Sequence, residues 1–263
     1  MPFRTEDGRP LDELLLAQRP ADGYRFDVRA PFDYEDPVSG RTYHVPAHPP
    51  GAPDPAPEAR EPRVHGVTDL ASVPMWLWSF IASYGRQSAP AILHDERSVV
   101  AAELDDPAAA LAQRRVDDRV FRTALREQRV PVLRSWIMWA WVSADREREF
   151  GGAAGILLIV QAVVGALVVL GASVAAFWNP WWLLVVPALA LLALPWAAAG
   201  LASLVLLLTY SSAVLAPLIA LHLVSIAPFR LIEAFVEVLA GGDPRDVIRP
   251  TVQADRESAA DGS

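Results

Sequence analysis

Four residues in the first half of the chain have side chains that hydrolytic and metal-binding sites commonly use. They are Asp69, the adjacent pair His94 and Asp95, and Asp118. A carboxylate or a neutral imidazole can act as a general base, and both can bind a divalent metal ion. The candidate catalytic residues are therefore His94, Asp95, Asp69 and Asp118. Asp69, His94 and Asp118 are the candidate metal ligands.

Each candidate also has a structural interpretation, which we favour. Asp69 can close an Asx-type turn, and Ser72 can cap a helix that Pro74 helps to start. Adjacent residues on a helix point about 100° apart, so His94 and Asp95 cannot chelate one ion without other ligands. They can instead hydrogen-bond to the loop around Asp69 and lock it. Ser72 lacks the G-x-S-x-G pattern of a nucleophile elbow, which argues against a serine nucleophile.

Asp118 lies one helical turn after Arg114, within an apolar stripe of the same predicted helix. This spacing is sufficient for an internal salt bridge, so a structural role is again the preferred interpretation. The sequence contains no pattern typical of a phosphate-binding loop, an HExxH zinc site or a dinucleotide-binding fingerprint. We therefore expect no cofactor, with a divalent metal ion as the alternative.

Helix start signals place these candidates on a helical region. Ser72 with Pro74 predicts one helix, and Ser88 with Pro90 predicts a second that ends near Glu103. Further helices are predicted from Asp106-Pro107 to about Gln128, and from Val130-Pro131 to Glu149. Asp69 would then lie in a loop, and the other three candidates on helices.

The residues before this region favour a small β structure. We expect one short helix at Leu11–Gln18. Period-two alternation at Tyr24–Arg29 and at Thr42–Val45, with a turn-rich connection at Asp36–Gly40, predicts a β-hairpin. Seven of the residues from 46 to 62 are proline, which predicts an extended loop. The soluble part, residues 23–150 after an N-terminal segment 1–22, is therefore predicted to be α+β.

Three ordered motifs resemble a family of phage and bacterial proteins, domain of unknown function 1353. They are G-V-T-D-L-A-S-V-P at 66–74, an apolar helix that ends in His94-Asp95, and R-R-V-D-D-R-V-F at 114–121. The resemblance covers about residues 22–145. This chain departs from the family pattern in the Pro-rich insertion 47–64, and in Glu96-Arg97 directly after His94-Asp95.

The distribution of charge divides the chain into two parts. There are 23 basic residues, all of them Arg, and 31 acidic residues, yet none lies among the 80 residues between Glu149 and Arg230. A membrane-spanning helix needs about 20 apolar residues. This excludes a single soluble domain, and the net charge of −8 argues against nucleic acid as a partner.

The uncharged part is predicted to form two or three transmembrane helices within residues 151–240. The predicted spans are about 153–177, 181–208 and 213–229, with turns at Asn179-Pro180 and Thr209–Ser212. An amphipathic extension that contains Arg230 follows, and residues 241–263 are predicted to be a disordered tail. Two spans with a re-entrant segment, or three spans, fit the sequence equally well.

Three functions are compatible with these features. The preferred one is a membrane-anchored accessory or binding protein with a phage-related soluble domain. The alternatives are a metal-dependent cell-envelope hydrolase that uses the Asp/His cluster and a holin-like pore-forming protein. The expected partners are the lipid bilayer and a protein partner, or a second copy of the chain bound through the membrane helices. The expected location is the bacterial inner membrane, with the soluble domain in the cytoplasm. Two features favour this orientation. Arg134, Arg146 and Arg148 precede the first span, and the first apolar stretch, residues 14–17, is too short for a signal peptide.

Overall fold

The computed structural model describes residues 2–18, 25–49, 64–70, 82, 84–244 and 247. They belong to two compact units. The first unit comprises Met1–Glu103, Thr123–Arg129 and His222–Ser263, and the second comprises Leu104–Arg122 and Val130–Leu221. The fold is a mixed α+β fold, with two small sheets followed by helices.

Two three-stranded antiparallel sheets lie in the first unit. Their strands are β1 (Phe3–Thr5), β2 (Leu16–Gln18), β3 (Phe26–Val28), β4 (Phe32–Glu35), β5 (Thr42–Val45) and β6 (Val67–Thr68). One sheet has the order β1-β4-β5, and the other has the order β2-β3-β6.

Both strands of the predicted hairpin exist, as β3 within Tyr24–Arg29 and as β5, but their predicted pairing with each other is wrong. β5 pairs with β4, in a register that sets Phe32 opposite Val45 and Tyr34 opposite Tyr43. The carboxylate of Asp36 accepts hydrogen bonds from the backbone N–H groups of Val38 and Ser39 at 3.2 and 3.1 Å and so fixes the turn. A turn this short pairs the strand that immediately precedes it, so β3 is left to pair with β2 and β6 instead.

The helix predicted over Leu11–Gln18 is also wrong. Leu16–Gln18 forms β2, which pairs with β3 so that Leu16 lies opposite Val28. The short segment has no amphipathic pattern strong enough to hold a helix, and cross-strand pairing decides its conformation instead.

Three helices follow the predicted bounds closely. They are α1 (Ser88–Ala102), α2 (Pro107–Glu127) and α3 (Val132–Phe150). The carboxylate of Asp106 accepts hydrogen bonds from the N–H groups of Ala108 and Ala109 at 3.0 and 3.3 Å, so it caps α2 as its position before a proline indicates.

The apolar part differs from the prediction in its second and third spans. α4 (Gly152–Ala175) agrees with the first predicted span. Residues 181–208 do not form one helix, because the segment Pro180–Trp196, here called the middle segment, consists of two 3₁₀ stretches around the short helix α5 (Val185–Ala188). α6 then runs without interruption over Ala202–Leu239.

The turn predicted at Thr209–Ser212 is wrong, and the physical reason lies in the backbone. These residues lie inside α6. The chain turns at residues 197–200 instead, where Gly200 adopts a φ of +72° that disfavours other residue types. Pro187 and Pro195 lack the N–H that a regular helix needs, so the helical breaks fall in the middle segment.

Within the second unit, three segments of the chain lie side by side: α4, the middle segment and the first half of α6. We call them the three passes. Leu158 near the start of α4 packs with Ala193 and Leu204, whereas Val169 near its end packs with Val186 and Ala213. The middle segment therefore runs antiparallel to α4, and the first half of α6 runs parallel to it. Of these three passes, α4 and α6 are helices long and apolar enough to cross a membrane.

Some predictions fall outside the described residues. They are the helix start at Ser72 and Pro74, all but residues 46–49 of the Pro-rich loop 46–62, and most of the tail 241–263.

Candidate functional site

Asp95 holds the loop that follows β6. It accepts a short hydrogen bond from the hydroxyl of Thr68, and the same hydroxyl accepts one from the N–H of Leu70 at 2.8 Å. Thr68 is fully buried. This is the contact that the structural interpretation of Asp95 predicts, and it uses the carboxylate to fix a loop.

The loop has an unusual backbone at Leu70. This residue has a φ of +63°, which few residues other than glycine adopt. Leu70 is buried, so apolar burial and the hydrogen bond from its N–H together hold the strained conformation. Asp69 lies immediately before it and is partly exposed.

His94 is buried in α1, with 9 % of its surface exposed. Its carbonyl oxygen accepts a hydrogen bond from the hydroxyl of Ser98 at 2.8 Å. A buried histidine inside a helix fits a packing role. Its part in catalysis or metal binding stays a prediction.

A cluster that the sequence interpretation missed lies beside this loop. His65 Nδ1 lies 2.5 Å from Glu96 Oε1, and its Nε2 lies 2.8 Å from Glu103 Oε1. Glu96 is 5 % exposed, whereas His65 and Glu103 are 45 % and 59 % exposed. We call these three residues the His65 cluster. The signal in the sequence is the seven-residue spacing of the two glutamates, which places both on one face of a helix.

The geometry of the His65 cluster can satisfy an imidazolium at both ring nitrogens. A neutral imidazole has one N–H, and an ionised carboxylate can only accept, so two ionised carboxylates on both ring nitrogens require an imidazolium. In agreement, the hydrogen bond to Glu96 raises the pKa of His65 above its ordinary value, with a further contribution from Glu103 and against the opposing effect of burial. The cluster is thus a charged latch between the loop before β6 and α1.

Gly66 is required for the latch. Its N–H donates to Glu96 Oε2 at 3.1 Å, so Glu96 binds His65 with one oxygen and the backbone with the other. Gly66 has a φ of +70°, and a Cβ at this position would lie 2.6 Å from the backbone nitrogen of His48. No other residue type fits this space without moving the backbone.

Asp118 belongs to a buried charge network in the second unit. It accepts a short hydrogen bond from Arg146 Nη1 and one from the hydroxyl of Ser143 at 2.9 Å. Arg146 also donates to Glu147 Oε1 from Nε and Nη2, at 3.1 and 2.9 Å. Arg115 donates to the same glutamate at 3.1 to 3.3 Å and carries the network to the surface.

The structure therefore pairs Asp118 with residues of α3. In the part of the chain that the structure describes, the ion pair of Asp118 is with Arg146, and buried Nε and Nη1 of Arg114 have no hydrogen-bond partner. An interhelix ion pair thus satisfies Asp118. The salt bridge between Arg114 and Asp118 stays a prediction.

A metal site finds no support in this arrangement. No group of three or more His, Asp or Glu side chains among the described residues could hold a metal ion. Asp118 is bonded to a guanidinium, and Asp95 to a hydroxyl. The ligand set Asp69, His94 and Asp118 stays a prediction.

Two tryptophans of α3 pack under a cation. Arg122 lies 3.8 Å from the ring centre of Trp136 and 5.3 Å from that of Trp139, and the two rings meet edge to face. Burial lowers the pKa of Arg122, with a further contribution from Arg119, and the aromatic faces partly compensate for the lost hydration. Trp141, on another face of the helix, is 44 % exposed.

Comparison with known proteins identifies one domain. Residues 63–142 match the family described as Protein of unknown function (DUF1353). This chain carries a DUF1353 domain. The domain includes β6 and the loop after it, α1, α2 and the first half of α3, but the match does not extend over β1 to β5, which precede residue 63. No curated protein and no solved structure matches the chain.

Proposed function

We propose that the chain is an integral membrane protein whose soluble part, including the DUF1353 domain, acts as a membrane-tethered binding or accessory module. The observation that carries the proposal is the exposure of the apolar helices. In the most apolar 18-residue stretch of α4 and of α6, only 28 % of the residues are buried. Leu167, Val224 and Leu231 are 62 %, 70 % and 72 % exposed.

This exposure distinguishes the two helices from core helices of a soluble protein. A core helix of comparable hydropathy would be mostly covered, and soluble monomers rarely expose apolar patches larger than a few hundred Å². The hydrocarbon of a bilayer would cover such a surface. Backbone polar groups within α4 and α6 are satisfied by the helices themselves, which a bilayer also requires.

Aromatic residues at the turn after α4 support the same assignment. Phe177, Trp178 and Trp181 are 89 %, 81 % and 74 % exposed. Tryptophans concentrate at the boundary between hydrocarbon and water, where an apolar ring and a polar N–H are both accommodated. The proposal therefore sets this turn at one membrane interface. It also sets the soluble part in the cytoplasm, because Arg134, Arg146 and Arg148 come before α4.

The carboxylate contacts favour a binding module over a hydrolase. Asp95 and Asp118 make hydrogen bonds that fix a loop and join two helices, which are structural tasks. A pore is disfavoured by composition, since His222 is the single ionisable side chain between Phe150 and Phe229 other than Tyr210. A water-filled path would need more polar groups along one face.

The experiment for this proposal compares three properties of the full chain. Expressed in bacterial membranes, it is expected to leave the membrane potential intact and, once purified in detergent, to contain no stoichiometric divalent metal. Chemical crosslinking in membranes is expected to trap a defined partner, or a second copy, and to lose it when residues 47–64 are replaced by a Gly/Ser segment of equal length. A collapsed potential would support the pore instead, and bound metal lost in His94→Ala would support the hydrolase. The same crosslinked products with and without the natural segment would contradict a binding role for it.

A further inference from the structure

A small cavity lies between α4, the middle segment and α6. Its volume is about 10 Å³. This is close to the smallest space that holds one water molecule. Its lining is mostly apolar, but it includes the side chains of Gln161, Thr209 and Tyr210.

Two of these polar side chains donate hydrogen bonds to backbone carbonyl oxygens of the middle segment. Gln161 Nε2 donates to the carbonyl oxygen of Leu192 at 2.7 Å. The hydroxyl of Tyr210 donates to the carbonyl oxygen of Val186, also at 2.7 Å. In a 3₁₀ helix the carbonyl of Leu192 would accept from the residue three positions on, which is Pro195 and has no N–H. Gln161 therefore replaces the missing donor.

Each polar side chain of the lining retains hydrogen-bonding capacity. Gln161 Oε1 accepts from Trp196 Nε1 at 3.0 Å, but its amide has a second hydrogen that no acceptor among the described residues takes. The oxygen of Tyr210 can accept as well as donate. Thr209 is only 6 % exposed and lines the cavity, and its hydroxyl can both donate and accept.

We propose that one water molecule occupies this cavity and hydrogen-bonds to Thr209, Gln161 and Tyr210. Together these groups offer a donor, an acceptor and a hydroxyl that can be either, which matches the two to four partners of a buried water. A metal cation fits less well, because it would need about six oxygen ligands and a compensating charge, and no carboxylate lines the cavity. The water would add hydrogen bonds to the side chains that hold the middle segment. Polar groups of an irregular segment within a membrane need such partners inside the protein.

Close approach of α4 and α6 keeps this site small. A Cβ on Gly165 would lie 2.9 Å from Thr209 Cγ2 and 3.2 Å from its Oγ1. The glycine thus brings the two helices together at the depth of Thr209. The inference concerns the apolar passes alone and does not depend on what the soluble part binds.

The test is nuclear Overhauser transfer from water to the α protons of Gly165, which cannot exchange, in the full chain in lipid nanodiscs. Wild-type protein is expected to show this cross-peak with the sign of a long-lived water. The isosteric variant Thr209→Val should lose it, whereas Thr209→Ser and the exposed control Ser203→Ala should retain it. A wild-type spectrum without the cross-peak would overturn the proposal, and so would an undiminished cross-peak in Thr209→Val. If Thr209→Val does not fold, the wild-type spectrum alone decides.

Discussion

Asp118 and Arg146 form an ion pair between α2 and α3 in which neither side chain is more than 3 % exposed. The pair joins the DUF1353 domain to the second half of α3, just before the apolar passes begin. Breaking a buried pair leaves one charge without its partner, and such changes typically cost about 3–5 kcal/mol.

Asp118→Ala should therefore lower the free energy of unfolding of the detergent-solubilised full chain by about 3–5 kcal/mol. The matched control is Asp145→Ala, which removes an exposed ion pair with Arg148 at 2.7 Å and should cost about 0.2–1 kcal/mol. Denaturant titration of both variants makes the comparison. Equal costs would mean that the buried network does not stabilise the fold.

The His65 cluster predicts a dependence of stability on pH. The carboxylates raise the folded-state pKa of His65, so its contribution is complete below the unfolded value of about 6.5 and is lost as pH rises through the higher folded value. NMR titration of the imidazole should give a pKa above 6.5, and His65→Gln should flatten the loss of stability in this range. A pKa at or below 6.5 would contradict the charged latch.

The two glutamates should contribute unequally to that pKa. Glu96 has the larger effect, so Glu96→Gln should lower the pKa of His65 more than Glu103→Gln does. The same NMR titration measures both. The reverse order would mean that the exposed glutamate holds the imidazolium.

Gly66 and Gly40 provide a matched pair for testing a close backbone approach. Both have positive φ, +70° and +68°, but a Cβ on Gly66 would lie 2.6 Å from His48 N, whereas Gly40 has open space. Gly40→Ala should cost about 1–2 kcal/mol from backbone strain alone. Gly66→Ala should cost about 1–3 kcal/mol more from overpacking, measured by denaturant titration. Similar losses would place the neighbouring backbone farther from Gly66 than the structure has it.

Gln161 and Pro195 should be energetically coupled. Gln161→Leu leaves the carbonyl of Leu192 without its donor, and this should lower stability by about 1 kcal/mol. In a Pro195→Ala background the new N–H can satisfy that carbonyl, so the same change should cost less. A double-mutant cycle on thermal unfolding in nanodiscs measures the coupling. A coupling of zero would show that Gln161 does not compensate for the proline.

The sequence predicts local features of this chain better than long-range pairing. Asp106 before Pro107 fixes the start of α2, and the Asp36–Gly40 turn is formed as predicted. A short turn pairs the two segments that flank it directly. Phe32–Glu35 immediately precedes this turn and is therefore the partner of β5. The polar residues Thr209–Ser212 led to the wrong prediction of a turn. The hydroxyl of Tyr210 donates to the carbonyl oxygen of Val186 in the middle segment, and α6 continues without a break.

The candidate site was predicted only in part for the same reason. Thr68 and Asp95 belong to two of the motifs in the sequence, so their contact could be anticipated although 27 residues separate them. His65 lies 31 residues from Glu96, and Asp118 lies 28 residues from Arg146, so neither pair is visible in local spacing. Charge networks of this kind depend on how helices pack, which periodicity does not specify.

The central claim is that α4 and α6 lie in a bilayer, and the absence of cysteine from the chain allows a direct test. Val163 on α4 and Tyr84 shortly before α1 are 53 % and 70 % exposed. Single variants Val163→Cys and Tyr84→Cys are treated with a membrane-impermeant maleimide in open membrane fragments, with and without detergent. We predict rapid labelling of Tyr84→Cys in both conditions, and labelling of Val163→Cys only after detergent is added. Equal labelling of the two variants in membranes without detergent would contradict the account.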